Sequence, residues 1–435
     1  MAVERMLWLT ARGEPTQLDA FIRRGLVGRI QVESAVEHLP KGQIGASPIP
    51  GENGDFLEIY RHVALQNNRF FLVGWMPESE AATVLSVARE LDVQVELTAP
   101  NAAISPPTKL HNHAFFRPYE SIVAMYGLPS YGGIDPTPMV AVVYTLLFGI
   151  MVADLGQGLC LAALGWLLWR KKRLPLGGIL LRCGFTSVLF GFVFGTVFGH
   201  EHLLDAFYAR VLGIEKPITV MEDVTRILVI ALGMGAALIT LSMSLHVWDR
   251  CKQGHWGQGI FSENGVAGML TYFALVGLVL KFFVADAVHF LPMGILLVML
   301  ALGVVLLFFK ENLVALTEKA EGNGHPRWRD NLLARVFELL ECLLNYFSNT
   351  VSFLRVGAFV LVHAGMMLVV YSLAPAQGAG RYLVLLLGNL LVLGVEGVLT
   401  YIQALRLVFY EMFSRFYHGE GRPFCAITLS EQNRE

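Results

Sequence analysis

The chain has 435 residues, of which 54% are hydrophobic and only 16% charged, and its mean hydropathy is +0.54. That composition excludes an ordinary soluble globular protein and favours a polytopic membrane protein. The net charge of −2, with no basic tail, excludes nucleic acid as a partner, and no Gly-x-x-x-x-Gly-Lys-Ser/Thr stretch offers this chain a nucleotide site.

Met-Ala-Val-Glu-Arg-Met-Leu-Trp, at the start, has no positive region followed by an apolar core, so a cytoplasmic N-terminal part is expected. Residues 1–109 are soluble in character and predict a small α/β domain. Met6–Ala11 reads as a strand, Glu14–Leu26 as a helix and Gly28–Val36 as a second strand. After a Pro/Gly-rich joint at 40–54 the order returns, with a strand at Arg69–Trp75, an amphipathic helix at Glu78–Leu91 and a strand at Val93–Ala99. Two small lobes, or one domain built from two halves, both fit this pattern. Ser105–Lys109 reads as a linker into the membrane part, 110–435.

The spacing of apolar blocks predicts helices at about 137–153, 157–169, 176–199, 224–248, 264–285, 290–310, 332–373 and 382–417. The first two form a hairpin, because Ala153-Asp-Leu-Gly-Gln-Gly158 is poor material for a helix interior, and Asp154 is expected to shape its turn. The block 332–373 has no proline and would be about 63 Å long as a helix, against a hydrocarbon core of about 30 Å. It predicts one long, tilted helix. Loop charge supports the eight-helix count. Arg170–Arg173, Arg250/Lys252 and the loop holding Lys310, Lys319, Arg327, Arg329 and Arg335 fall on the side of the N-terminus. The acidic segment 200–223 (Glu201, Asp205, Glu215, Glu222, Asp223) falls opposite, a positive-inside pattern that puts both termini in the cytoplasm. Lys281, beside Phe282 and Phe283, reads as a snorkelling anchor. Cys160, Cys183, Cys251, Cys342 and Cys425 share no paired spacing and read as small apolar side chains, so neither a disulfide, a metal nor a cofactor is expected.

Two arginines lie inside the last apolar blocks, Arg355 and Arg406. A charge at membrane depth costs at least about 3 kcal/mol, so each marks a functional position. Glu341 lies fourteen residues before Arg355, about 21 Å along the helix and within about 40° of its face. Asn345, Ser348, Asn349 and Ser352 continue a polar track between them. His363 lies eight residues after Arg355 and Glu396 ten before Arg406, so the antiparallel helices bring these two level if the arginines share a depth. The reading is two offset polar half-paths separated by a permanent charge, because arginine keeps its proton. A carboxylate on a moving partner would load from one half-path and unload into the other. Other readings stay open at this point: Arg406 snorkelling, Arg355 in a structural ion pair, Glu341 as a solvated end charge, and His363 as a hydrogen-bonded core histidine.

Several stretches together resemble the a subunit of vacuolar-type rotary ATPases, called subunit I in archaeal and bacterial A/V-type enzymes. They are Pro106-Pro-Thr-Lys-Leu, Met125-Tyr-Gly-Leu-Pro-Ser-Tyr, Asp135-Pro-Thr-Pro138, Gly149–Gly158, Ser348–Arg355 with His363, Glu396 with Ile402–Arg406, and Phe413–Phe424. The resemblance implies a mainly α fold, with an eight-helix membrane domain, two of its helices long and tilted against the ring, in a prokaryotic plasma membrane. It further implies a membrane stator without catalytic activity of its own, working beside a proteolipid ring with central- and peripheral-stalk subunits. Arg355 matches the essential arginine, and Arg406, Glu341, His363 and Glu396 match positions along the half-channels. The family's long coiled-coil arm has only the 40–54 stretch in its place, although Val73-Gly-Trp-Met-Pro77 resembles the arm's membrane-proximal part. Gln403 stands where some relatives carry a histidine. A stand-alone secondary ion transporter, or a non-pumping scaffold, are the alternative readings.

Overall fold

The computed structural model describes residues 3–33, 47–48, 62–66, 68–100, 105–201, 203–213, 218–283, 292–317, 332–417 and 419–427. Most of the joint at 40–54, the link at 284–291, Glu215, Lys319, Arg327 and Arg329 lie outside these residues. The chain divides into two compact units, Met1–Asp135 with His418–Glu435, and Pro136–Tyr417. The boundary expected at 109/110 therefore moves to 135/136, and the chain's last segment belongs with the first unit.

The first unit is one six-stranded sheet, which replaces the alternative of two lobes. Its strands are β1 (Met6–Gly13), β2 (Gln31–Glu33), β3 (Ser47–Pro48), β4 (Ala64–Gln66), β5 (Arg69–Pro77) and β6 (Gln94–Thr98). Strand β1 is central and antiparallel to both β5 (Met6 opposite Pro77) and β6 (Trp8 opposite Thr98). Helices α1 (Pro15–Phe21) and α2 (Ala81–Glu90) cover one face, where Leu9, Leu18, Phe21, Phe70, Leu72 and Val84 form the core. On the other face Trp8 and Trp75 meet edge to face, with centroids 4.8 Å apart. A short helix, α3 (Glu120–Tyr126), follows.

The stretch 105–109 is not a free linker. Buried Thr108 pairs with the returning C-terminal segment: its N–H donates to Arg422 O at 2.7 Å, and its hydroxyl donates to Pro129 O at 2.8 Å. Ile427 continues the strap by exchanging backbone hydrogen bonds with Gly28 and Ile30. An extended segment must satisfy its backbone groups somewhere, and here the chain's own end does it.

The second unit is helical: α4 (Thr137–Val152), α5 (Leu155–Lys172), α6 (Pro175–Phe194), α7 (Val224–Lys252), α8 (Trp256–Phe261), α9 (Val266–Phe283), α10 (Met293–Phe308), α11 (Lys310–Thr317), α12 (Leu332–Ser352), α13 (Leu354–Leu373) and α14 (Ala379–Arg406). Among the described residues five helical stretches are long and apolar enough to cross a membrane: Pro175–Phe194, Val224–Lys252, Trp256–Lys281, Leu332–Leu373 and Ala379–Phe416. Helices α4 and α10 are apolar but shorter, so length and composition alone support five spans of the eight expected.

Helices α4 and α5 meet at Ala153, which takes a left-handed conformation (φ 37°), and Asp154, whose side chain caps α5. Helices α5 and α6 then pack backbone to backbone. A Cβ added at Gly165, Gly177, Gly184 or Gly191 would run into main-chain atoms of the facing helix or of its start at Asp154–Leu155. Small residues at the seam replace the hydrophobic effect, which cannot drive association among helices already in lipid.

The segment 332–373 is not one uninterrupted helix. It breaks for one residue at Phe353, whose N–H bonds back to Thr350 O at 3.2 Å in a tightened turn. The buried Phe353 ring sits against Gly235 of α7, where any side chain would collide with it. The last helix also changes form. After Arg406 it widens into a π-turn stretch, Leu407–Phe413, before ending at Phe416.

Replacing Gly184 by Val should destabilise the protein by about 1–3 kcal/mol through overpacking of the α5–α6 seam. The reading is a lower thermal midpoint in detergent. A midpoint equal to that of the unaltered protein would refute the seam as a close backbone contact.

Candidate functional site

Arg355 opens α13 two residues after the Phe353 break and is half-buried. Its Nη1 donates to Gln403 Oε1 on α14 at 3.0 Å. An amide oxygen holds a guanidinium in place without cancelling its charge, as a carboxylate would. Gln403 lies three residues before Arg406, so the two share a face of α14, and Arg406 itself is exposed.

Glu411, on the widened turn, completes this cluster. It is buried, and the charges of Arg355 and Arg406 both act on it. In an α-helix, residue 411 would lie about 140° round from Arg406. In a π-turn, residues five apart stack, which swings Glu411 back toward the arginine. The cluster thus holds two guanidinium groups and one carboxylate.

A second cluster is deeply buried between three segments. His363 Nδ1 lies 2.6 Å from Glu396 Oε2, and His363 Nε2 lies 3.6 Å from Asp154 Oδ2. Exposure is 4% for His363, 1% for Glu396 and zero for Asp154. Asp154 also accepts three backbone N–H groups: Gln157 at 2.8 Å, Phe198 at 3.0 Å and Gly199 at 2.7 Å. Gln157 Nε2 in turn donates to Asn389 Oδ1 on α14 at 3.2 Å. Among the described residues Glu396 Oε1 has no hydrogen-bond partner although it is buried. An imidazole between two carboxylates can take up, hold and release a proton.

Glu341 is brought to neither cluster. It lies on the exposed side of α12, with Asn345 and Ser348 exposed beyond it and Asn349 and Ser352 half-buried. Among the described members of this track, Ser352 Oγ bonds back to Ser348 O at 3.0 Å. Sequence reasoning placed Arg355, Arg406, Gln403, His363 and Glu396 on the site helices but missed two members. Asp154 was read only as a turn residue; a carboxylate in an otherwise apolar hairpin was the available signal. Glu411, a carboxylate in the apolar run Leu407–Phe413, offered the same signal, but its approach to Arg406 depends on the widened turn.

These features define an integral-membrane helical protein with a small sheet domain and ionisable groups buried between its last helices. Residues 58–176 match the sequence profile of the V-type ATPase 116kDa subunit family. The chain is 26% identical over 395 residues to the A-type ATP synthase subunit I of Pyrococcus horikoshii, covering 86% of this chain and 55% of that protein. It is 24% identical over 417 residues to the protein of the same name from Methanocaldococcus jannaschii, covering 87% and 57%. Against V-type ATP synthase subunit I 2 of Treponema pallidum the identity is 36% over 167 residues, 34% of this chain and 35% of that protein. The chain spans about half the length of the curated relatives it matches.

Replacing Asp154 by Ala would leave three backbone N–H groups buried without their acceptor, each worth about 1–3 kcal/mol. The expected result is a strongly lowered thermal midpoint, with Asp154→Asn falling between, because it keeps one acceptor oxygen. An unchanged midpoint for the alanine variant would rule out this anchoring role.

Proposed function

We propose that this chain is the ion-translocating stator of a rotary A/V-type ATPase and that the ion is a proton. Its chemistry would depend on partners: a proteolipid ring that turns against it, central- and peripheral-stalk subunits, and catalytic subunits that bind the nucleotide. The relatives' names, subunits I of A- and V-type ATP synthases, support that assembly. The chain itself would perform no catalysis.

The observation that carries the reading is the Arg355–Gln403 pair, a guanidinium fixed at membrane depth and left charged. A neutral carboxylic acid on the ring can cross lipid, whereas its ionised form cannot. On reaching Arg355 the acid would be drawn into its ionised form and release its proton, since an adjacent positive charge favours the carboxylate. The departing carboxylate must be reprotonated before it re-enters lipid. Arg355 therefore separates the place of loading from the place of release.

The two half-paths follow from helix direction. Eight passes, counting α4, α5 and α10 with the five longer spans, put both termini in the cytoplasm and His363 and Glu396 outward of Arg355. The buried Asp154–His363–Glu396 cluster would exchange protons with the outer side, and the unpartnered Glu396 oxygen marks where a proton arrives or leaves. Glu341 and the track through Asn345, Ser348, Asn349 and Ser352 would serve the cytoplasmic side. Arg406 stands at the end of an exposed apolar strip on α14 that includes Leu386, Leu390, Val398 and Ile402, a surface suited to the ring.

Arg355→Ala is expected to leave assembly intact and abolish ATP-driven acidification of sealed vesicles. Normal acidification by a variant assembled to the usual subunit stoichiometry would refute the role. Glu411→Gln is expected to lower pumping several-fold, because it leaves two guanidinium groups facing each other uncompensated. Adding Arg406→Gln should restore part of that loss. A double variant no better than Glu411→Gln alone would show that Glu411 does not act through charge balance.

A further inference from the structure

The Asp154–His363–Glu396 cluster is sealed: none of its three side chains is more than 4% exposed. A group that exchanges protons with the outer side needs a cover that opens. Against Asp154 lies the turn Val197–His200, whose end residues exchange backbone hydrogen bonds at 3.2 and 3.0 Å. Its two central residues, Phe198 (φ 50°) and Gly199 (φ 71°), are both left-handed. A two-residue turn of this hand favours Asn-Gly or Gly-Gly, because a bulky side chain at positive φ is strained. Phe198 is therefore in a conformation that contacts outside the turn must hold.

Two sets of contacts do so, and they differ in kind. The flank at Thr196 is tied by neutral bonds: its N–H donates to Gly191 O at 3.0 Å, its hydroxyl donates to Ala153 O at 2.6 Å, and its carbonyl accepts from Leu155 N–H at 3.0 Å. The tip hangs on one carboxylate. Phe198 N–H donates to Asp154 Oδ1 at 3.0 Å and Gly199 N–H to Oδ2 at 2.7 Å. The Tyr371 hydroxyl adds a bond to Phe198 O at 2.9 Å, and the Phe198 ring covers Gly156, where any Cβ would meet it. Oδ2 is also the oxygen that faces His363 Nε2, at 3.6 Å, and Nε2 has no hydrogen-bond partner among the described residues. One atom thus joins the turn to the imidazole.

A carboxylate oxygen only accepts, whereas a protonated one donates. A proton placed on Oδ2 would turn that oxygen toward Nε2 as a donor and take the acceptor away from Gly199 N–H. The groups that govern this transfer are His363 on α13 and Glu396 on α14 behind it. Beside the turn stand Tyr371, which the charges of Asp154 and Arg381 both reach, and His200, whose ring meets Tyr371 edge to face with centroids 5.5 Å apart.

We propose that the Val197–His200 turn is a lid on the outer half-path, latched by ionised Asp154 and released when Asp154 Oδ2 takes a proton. The lid's purpose rests on the proton-stator reading above; the latch needs only a carboxyl group that can be protonated. Strain at Phe198 favours release, and the tied Thr196 flank is the hinge. Opening admits outer water to His363 and Glu396, and loss of the proton from Asp154 forms the latch again. The outer path is then open only while it is loaded.

The test uses the intact complex in sealed native vesicles. A Cβ at Gly156 would stand 2.6 Å from Phe198 Cγ, which brings a pair of cysteines within the Cβ separation of about 3.5–4.5 Å that a disulfide takes. Gly156→Cys with Phe198→Cys, once oxidised, is expected to lower ATP-driven acidification at least fivefold, and dithiothreitol to restore it. The unaltered complex should be indifferent to both treatments. In Asp154→Asn an amide nitrogen replaces one carboxylate oxygen, so hydrogen exchange of the Phe198 or Gly199 amide should quicken at least tenfold while that of Leu155, on the tied flank, is unchanged. Full acidification with the bridge confirmed by mass spectrometry would overturn the lid and leave the stator reading standing. Unchanged exchange at both tip amides would overturn the latch, as would equal quickening at Leu155, which marks general loosening. An unaltered complex that does not acidify would overturn the stator reading instead. In that case, or where the reduced cysteine variant is already inactive, amide exchange alone decides the latch.

Discussion

Everything at the site depends on how the Arg355 guanidinium is held. A buried guanidinium needs partners for its donors, and the simplest partner, a carboxylate, would neutralise it. Gln403 supplies an oxygen without a charge. The backbone is shaped around that contact. The tightened turn at Phe353, locked by its ring against Gly235, sets the rotation at which α13 begins and so aims Arg355 at α14. The seat needs a glycine because no other residue leaves room for the ring.

The two polar clusters are built on opposite logics. Around Arg355 two like charges share one buried carboxylate, and the group stays positive. Around His363 two carboxylates share one imidazole, and the group stays neutral or negative according to its protons. Eight residues of helix, about 12 Å, separate Arg355 from His363 along the same axis. A guanidinium cannot titrate at these pH values, whereas imidazole and carboxylates can. One cluster is therefore fixed and the other exchangeable, and their separation keeps the fixed charge from collapsing onto the exchangeable one.

Much of this could be read from residue order. Block lengths and the poor helix residues at 153–158 placed the break between α4 and α5, and helical rise alone put His363 beside Glu396 across two antiparallel helices. These inferences rest on regular geometry, which the sequence pattern reports well. What it did not report are the departures from regularity. The break at Phe353 has no proline to announce it and exists because a ring meets a glycine on a helix more than a hundred residues away. The widened turn at Leu407–Phe413 has no compositional mark, so the return of Glu411 toward Arg406 was invisible. The docking of 421–427 onto Thr108 and Ile30 joins parts of the chain far apart in sequence, and local periodicity carries no information about such pairing.

The charge count near Arg355 also bears on why Arg406 is exposed. Two guanidinium groups and one carboxylate leave about one positive charge unbalanced beside an apolar strip. Bare lipid would penalise that charge by at least about 3 kcal/mol unless it reached the interface. A second buried carboxylate within this chain would remove the penalty but would also remove the attraction for any carboxylate arriving from outside. Under the proposed function the open deficit would attract one negative charge at a time, and the exposed apolar Leu386–Ile402 strip would keep water from the place where that charge lands. The exposed arginine and the apolar strip are then parts of one surface: the charge supplies the attraction, and the strip makes it strong by keeping the local dielectric low.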